Sequence, residues 1–432
     1  MKNIIGIRRE DKNQWERRVP LIPKHIRELD EKYGIKTFIQ PSSIRVFSDE
    51  SFKKAGANVQ EDISHCPVVF AVKEIPIDFF SPNKTYVFFS HTIKGQKYNM
   101  PMLKKMMNMG CNLIDYEKIA DKNGRRLVFF GRFAGIAGMV DTLWAFGKRL
   151  KSKGVETPFN KIKQAVYYKD IEEIKNHFIE VGKQIRSNGI PESLAPLVIG
   201  FAGYGNVSKG AQEMLDYLPL KEVSPDQIES IREDYSDKLV YKVVFKEEHM
   251  VEPVSKNAVF NLQEYYNKPE LYRSIFHQYI SNLSILMNCI YWSKKYPRLV
   301  TKDFLKKNFS NHMKLQIVGD ISVDVNGAIE FTEKTTSTDD PVFVYDPLRD
   351  EIERGYNGEG VVVLGVDNLP CELPASSSEE FSDSLMPFVP DVVKADYSVK
   401  FSDLELPSEV KKAVILHNGE LTPDYQYINK FL

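Results

Sequence analysis

The sequence predicts an α/β chain of two domains, each built on a parallel sheet, with a cleft between them. Three observations predict it. Over the first 135 or so residues, short β-rich runs alternate with helical stretches, as a parallel sheet covered on both faces requires. Further on, an apolar strand runs directly into the glycine turn Gly203-Tyr204-Gly205 and then a helix. Finally, 432 residues are too many for one ordinary core and favour two or three domains.

The elements follow in order. Ile4-Ile5-Gly6-Ile7 is a strand, and Pro23 stands in the first turn of a helix over 23–29, where proline is tolerated because that N–H has no partner anyway. A strand at 36–40, a helix at 49–57 and strands at 68–73 and 85–90 come next. A helix at 100–109 and a strand at 111–115 complete the set. Ile136, Met139, Val140, Leu143, Phe146 and Leu150 recur at mostly three- and four-residue steps, one apolar helical stripe. Pattern alone leaves open whether that helix enters a second domain or faces the core of the first.

The second domain begins with the strand before Gly203 and a helix over 210–218. From 224 to about 269 the chain is charged and irregular, which reads as an insertion. Strand patterns return at 285–291, 314–318 and 360–366, then a helix at 376–388 and a strand at 413–416. The expected domains are 1–135 with 370–432, and 136–369.

Composition narrows the function classes. Lys plus Arg total 58 and Asp plus Glu 59, a net charge of −1. Nucleic-acid or anionic-membrane binding needs a basic surplus or stripe, so neither partner is expected. The four cysteines are scattered with no CxxC pair, so neither a disulfide framework nor a metal site is expected, which suits a reducing compartment. No apolar run reaches about 18 residues, and the chain opens straight into a strand pattern. These features make a cytoplasmic location the expectation. They do not set an oligomeric state.

The glycine turn is the first feature on which chemistry can rest. Glycines allow a tight turn and close approach of a pyrophosphate, and the following helix N-terminus offers unpaired N–H groups. The usual third glycine is replaced by Ser208, and the next glycine is Gly210. An acidic residue about 20 positions on normally binds a ribose 2′-hydroxyl. If the next strand ends at Val223, its tip is Ser224. A carboxylate there would repel a 2′-phosphate, so its absence favours NADP, with NAD possible and Glu222 two residues away.

Three strand ends in the first domain carry ionisable groups: Trp15-Glu16-Arg17-Arg18, Val72-Lys73-Glu74 and Ser90-His91-Thr92-Ile93-Lys94. The carboxyl ends of parallel strands share one edge, where ligands bind. Singly, each is an ordinary surface pair or structural histidine. Their coincidence at successive tips gives a cationic site with arginine forks for carboxylates, a histidine for protons and a crowded lysine with a lowered pKa.

These segments resemble the lysine–2-oxoglutarate reductase family, the lysine-forming saccharopine dehydrogenases. The resemblance rests on Gly6-Ile7-Arg8-Arg9-Glu10, Phe89-Ser90-His91-Thr92-Ile93-Lys94 and Leu113-Ile114-Asp115-Tyr116-Glu117-Lys118. It continues through Phe130-Gly131-Arg132-Phe133-Ala134-Gly135, the glycine turn, Gly319-Asp320-Ile321-Ser322 and Val366-Asp367-Asn368. It implies two Rossmann-like domains of the alanine dehydrogenase/transhydrogenase type. It also implies reductive condensation of L-lysine with 2-oxoglutarate to saccharopine.

The nearest resemblance is to the reductase half of the aminoadipic semialdehyde synthases. Matching positions imply Lys73 and His91 as an acid–base pair and Arg18 and Arg126 as carboxylate-binding arginines. Glu74, Lys94 and Glu117 are implied to contact or tune the lysine moiety. Gly203, Gly205, Ser224, Asp320 and Asp367 fall to the cofactor side. Asp320 also reads as a strand-end cap, and Asp367-Asn368 as a simple turn. Two alternatives stand beside this reading: an alanine dehydrogenase-like amino-acid dehydrogenase, and a catalytically silent nucleotide-binding protein.

Overall fold

Eighteen strands named here build two large sheets and one small one. The chain passes through β1 (Ile4–Ile7), α1 (Pro23–Tyr33), β2 (Lys36–Ile39), α2 (Asp49–Lys54), β3 (Asn58–Val59), β4 (Val68–Phe70), β5 (Thr85–Phe88), α3 (Met100–Asn108) and β6 (Asn112–Asp115). Next come α4 (Gly131–Ser152), α5 (Ile171–Asn188), β7 (Leu197–Ala202), α6 (Asn206–Leu215), β8 (Leu220–Glu222) and β9 (Val240–Phe245). They are followed by β10 (Val251–Pro253), β11 (Tyr272–Ser274), β12 (Ile285–Asn288), β13 (Ile317–Asp320), β14 (Val342–Asp346), β15 (Glu351–Arg354) and β16 (Val361–Leu364). The helix Pro374–Leu385 precedes β17 (Val414–His417) and β18 (Glu420–Leu421). This computed structural model describes residues 3–310 and 313–432. It divides into two units, Met1–Phe130 with Pro374–Leu432, and Gly131–Leu373.

The first unit holds a sheet in the order β18-β17-β6-β5-β4-β1-β2-β3. From β3 to β6 every pairing is parallel, and β17 closes the far side antiparallel to β6. Ile5, Ile7, Phe70, Val87, Phe88 and Ile114 are buried in its core, so these strands are apolar on both faces, as parallel strands are. The helices have legible ends. Pro23 opens α1, and Gly34, at φ +66°, closes it, with Gly34 N donating to Asp30 O and Ile35 N to Leu29 O. The Ser48 hydroxyl accepts from Ser51 N at the start of α2. β4 leaves its ladder at Phe70, three residues before the expected end at Lys73.

The second unit orders its strands β15-β14-β16-β13-β12-β7-β9-β8. Strands β16, β13, β12, β7, β9 and β8 run parallel, and β14 and β15 pair antiparallel. The segment expected as an insertion contains β9, an interior strand lying between β7 and β8. The charges around Val240–Phe245 hid it, yet five of its six residues are buried. α5 was not anticipated either. Asp170 caps it by accepting Glu173 N at 2.9 Å, and it buries Ile174, Phe178, Val181 and Ile185 along one face.

α4 is apolar nearly all round and packs inside the unit. It crosses α6 at glycines. A Cβ on Gly135 would lie 1.9 Å from Val207 O, and one on Gly210 would lie 2.1 Å from Arg132 O. Gly210 thus serves helix packing. Ser208, at the usual third-glycine position, is fully buried and accepts from Gln212 Nε2 at 2.9 Å.

Asp141 of α4 is also buried. Its Oδ1 accepts Ala165 N at 2.7 Å, and its neighbour is the buried carboxyl of Glu372. Glu372 faces Asp141 carboxyl to carboxyl, with the Thr338 hydroxyl and the Val166 amide also directed at it. Two carboxyls so placed need a shared proton. Among the described residues no helix is long and apolar enough to cross a membrane.

Candidate active site

The parallel run β1, β4, β5, β6 brings four strand tips to one edge of the first sheet. Arg8, Glu10 and, beyond them, Arg18 follow β1; Lys73 and Glu74 follow β4; His91 follows β5; Glu117 follows β6. At this edge Lys73 is half-buried. Burial and then the Arg18 charge lower its ammonium pKa, with Lys12 adding to this and Glu16 and Glu74 opposing. No hydrogen bond or ion pair to its Nζ is found among the described residues. A lysine so placed exchanges protons more readily near neutral pH than an exposed one.

His91 is bound to its neighbour. Its Nδ1 lies 2.6 Å from Glu74 Oε1, and Glu74 Oε2 also takes Lys12 Nζ at 3.2 Å. Burial alone would raise the Glu74 carboxyl, but the His91 hydrogen bond and charge outweigh it and hold it down to about 2. An ionised carboxylate can only accept, so Nδ1 carries the hydrogen. The other ring nitrogen is then left for substrate.

The backbone of His91 is left-handed, at φ +48°, a conformation that side chains other than glycine rarely adopt. The turn is held on both sides. Ser90 N donates to Asp115 Oδ2 at 3.0 Å, and Asn99 Nδ2 donates to Ser90 O at 2.9 Å and His91 O at 3.4 Å.

Three other predicted residues have partners within the protein. Arg18 is buried against Glu16, with Nε and Nη2 to the two carboxylate oxygens at 2.7 and 2.6 Å. Its guanidinium also lies 4.2 Å from the centre of the Phe130 ring. Two of its donors are therefore committed before any substrate carboxylate arrives. Arg126 and Glu117, both predicted to contact substrate, form an ion pair with each other, and Glu117 N donates to Asp115 Oδ1 at 2.8 Å. Lys94 is exposed, with its backbone N–H on Gln96 Oε1 at 3.1 Å.

Sequence reasoning missed Glu10. It is buried after β1 and accepts Val72 N at 2.7 Å and Lys73 N at 3.0 Å. Its only signal was a carboxylate directly behind an apolar strand.

In the second unit the glycine turn follows β7 as expected. Gly203 has φ +94°, and a Cβ there would lie 2.9 Å from Ile290 Cγ2. A Cβ on Gly205 meets nothing within 4 Å, so the space above the start of α6 is open. Gly205 is also the N-cap of that helix and has no side chain to cap it. Open space over unpaired N–H groups fits a pyrophosphate.

Ser224 is placed elsewhere. β8 pairs with β9 and not with β7, so the strand tip beside the glycine turn is that of β9: Lys246, Glu247 and Glu248. The preference for NADP drawn from Ser224 assumed that the next strand in sequence was the next in space. Ser224 instead opens a short turn, its hydroxyl 3.0 Å from Gln227 Oε1. Glu222 pairs with Lys242 Nζ at 2.7 Å. Glu247 Oε1 accepts the Tyr266 hydroxyl at 2.6 Å.

Asp320 is buried, and its oxygens accept Asn288 Nδ2 at 2.7 Å and Thr332 Oγ1 at 2.6 Å. Burial pushes its carboxyl up to about 6 against those hydrogen bonds. It ties β12 and β13 together, as a strand-end cap does. Asp367 is exposed beyond β16.

Known proteins share this organisation. Residues 6–137 match the family described as alanine dehydrogenase/PNT, N-terminal domain, and residues 251–424 match its C-terminal domain. Alpha-aminoadipic semialdehyde synthase, mitochondrial, of Bos taurus is 36% identical over 445 residues, covering 99% of this chain and 48% of that protein. The alpha-aminoadipic semialdehyde synthase of Arabidopsis thaliana is 36% identical over 442 residues, 98% of this chain and 41% of that protein. The chain thus spans about half the length of these curated relatives. Saccharopine dehydrogenase [NAD(+), L-lysine-forming] of Emericella nidulans is 26% identical, over 89% of this chain and 91% of that protein. Among solved structures, an L-alanine dehydrogenase has a TM-score of 0.63 at 17% identity, covering 99% of this chain and 100% of that one. At such identity the likeness concerns the fold.

Proposed function

The chain belongs to the alanine dehydrogenase/PNT family, in the group that holds the aminoadipic semialdehyde synthases and lysine-forming saccharopine dehydrogenases, and from this we propose that it condenses L-lysine with 2-oxoglutarate and reduces the product to saccharopine. The observation that carries the reading is the strand edge where half-buried Lys73, the His91–Glu74 pair and buried Arg18 meet.

Condensation needs a proton removed from the lysine ammonium and one delivered to the carbinolamine hydroxyl as it leaves as water. Lys73 and His91 supply that traffic. Glu74 fixes the imidazole by its Nδ1 hydrogen, so the opposite nitrogen takes or gives the proton. Arg18 and Arg126 offer guanidinium groups to the substrate carboxylates in exchange with Glu16 and Glu117, and Lys94 adds an exposed cation. A bound nicotinamide supplies the hydride. Gly203, Gly205 and the first N–H groups of α6 would hold the pyrophosphate of the dinucleotide, with Asp367 at the same strand edge.

NADPH is the cofactor to test first against NADH: at the β9 tip Lys246 would attract a 2′-phosphate, whereas Glu247 and Glu248 would repel it.

The test is an assay of purified protein with L-lysine, 2-oxoglutarate and NADPH, the product identified by mass. Saccharopine is the expected product, and His91→Ala abolishes it. Oxidation of NADPH with ammonia and pyruvate, but not with lysine and 2-oxoglutarate, would overturn the reading in favour of an alanine dehydrogenase-like activity.

A further inference from the structure

Lys73 stands on backbone that has left its sheet. β4 stops at Phe70, and beyond it Val72 O accepts Phe89 N at 3.1 Å. The next two N–H groups, of Val72 and Lys73, go to the two carboxylate oxygens of Glu10. Glu10 is 6% exposed and Val72 is fully buried, and a buried donor left without a partner is costly. The same device recurs at the tip of β5, where Asp115 Oδ2 accepts both Ser90 N at 3.0 Å and Ser90 Oγ at 2.5 Å, directly before His91.

Resting on the function proposed above, we infer that Glu10 is a positioning residue for Lys73. By accepting both amides it fixes the peptide planes from which the Lys73 side chain departs, and so holds the ammonium in its half-buried place at the strand edge. The groups facing Glu10 are Arg8 just after β1, Glu16 on the following loop, the Val72 and Lys73 amides beyond β4, and Tyr116 after β6. Burial, then the Glu16 charge, push the Glu10 carboxyl up to about 7 against the two amides and Arg8. Its hold on the strand tip is therefore weakened by protonation near neutral pH.

The test uses the full chain and the variants Glu10→Gln, Glu10→Ala and Glu10→Asp. A glutamine can accept one amide, but its NH2 would face the other donor-to-donor. Two readings are taken beside a thermal melt. The first is the pH dependence of Lys73 acetylation by acetic anhydride, followed by mass spectrometry with no substrate present. The second is kcat and KM for the proposed reaction.

In E10Q and E10A the labelling midpoint of Lys73 is expected to rise toward that of an ordinary lysine, because a released side chain regains water. Loss of a negative charge alone would move it down, so the sign separates positioning from electrostatics. kcat should fall tenfold or more, as misplacement of a reacting group by about 1 Å can cost about a hundredfold, and E10D should recover part of it. An unchanged or lowered Lys73 midpoint in folded E10Q would overturn the inference. If the wild type makes no saccharopine, the functional reading fails, while the labelling shift still decides the role of Glu10.

Discussion

The imidazole of His91 donates its Nδ1 hydrogen to Glu74 Oε1 at 2.6 Å, from a left-handed backbone that Asn99 and Asp115 secure. Because this contact holds the Glu74 carboxyl down to about 2, it links stability to pH. A carboxyl whose folded pKa is depressed contributes stability that is complete above its unfolded value of about 4.5 and is lost as pH falls toward 2. Wild type and Glu74→Ala should therefore differ most in Tm above pH 5, and their curves should converge on acidification. Turnover of the variant should drop on the order of tenfold or more, since the ring is no longer held in one tautomer. Parallel melts and rate profiles across pH check both.

Arg18 and Glu16 form a buried pair, with side chains 2% and 0% exposed. Removing one partner strands the other charge away from water. Glu16→Ala should lose about 3–5 kcal/mol in urea unfolding. The double replacement Glu16→Met with Arg18→Met should recover much of that loss while remaining inactive. Chemical denaturation of the three proteins tests the coupling.

Asp141 and Glu372 predict an alkaline effect. Burial first, then the Asp141 charge, push the Glu372 carboxyl far above its ordinary range. A carboxyl that keeps its proton in the fold, while the unfolded chain gives it up above about pH 4.5, costs stability increasingly as pH rises toward its folded value. Glu372→Gln removes that cost. Its Tm should gain on the wild type steadily from pH 5 to 9, as calorimetry at several pH values would show.

Lys246 lies at the tip of the strand beside the glycine turn. Lys246→Ala should lower kcat/KM for NADPH at least several-fold more than for NADH, measured with both reduced cofactors under identical substrate saturation. Ser224→Ala, two strands from the turn, should leave the ratio unchanged.

Much of this was legible in the sequence. Apolar runs ending in charged or glycine residues marked β1, β5, β6 and β7, and the same punctuation named Lys73, His91 and Gly203. Two of the failures concern neighbours in space. β9 was hidden because Lys242, inward-facing and paired with Glu222, breaks its apolar run, and Ser224 was chosen because sequence order stood in for sheet order. α5 escaped although Asp170 and the spacing of Ile174, Phe178, Val181 and Ile185 announced it. Glu10 and Asp115 act by accepting backbone N–H groups, an acceptor role that no side-chain pattern records.

The inverted order of β8 and β9 has a consequence during synthesis. β7 has only β9 and β12 for neighbours, and β8 has only β9. A nascent chain that has emerged only as far as residue 239 therefore exposes two strands that cannot zip to each other. The first ladder of this unit waits for its third strand to leave the ribosome, which makes Val240–Phe245 the segment whose arrival starts the sheet.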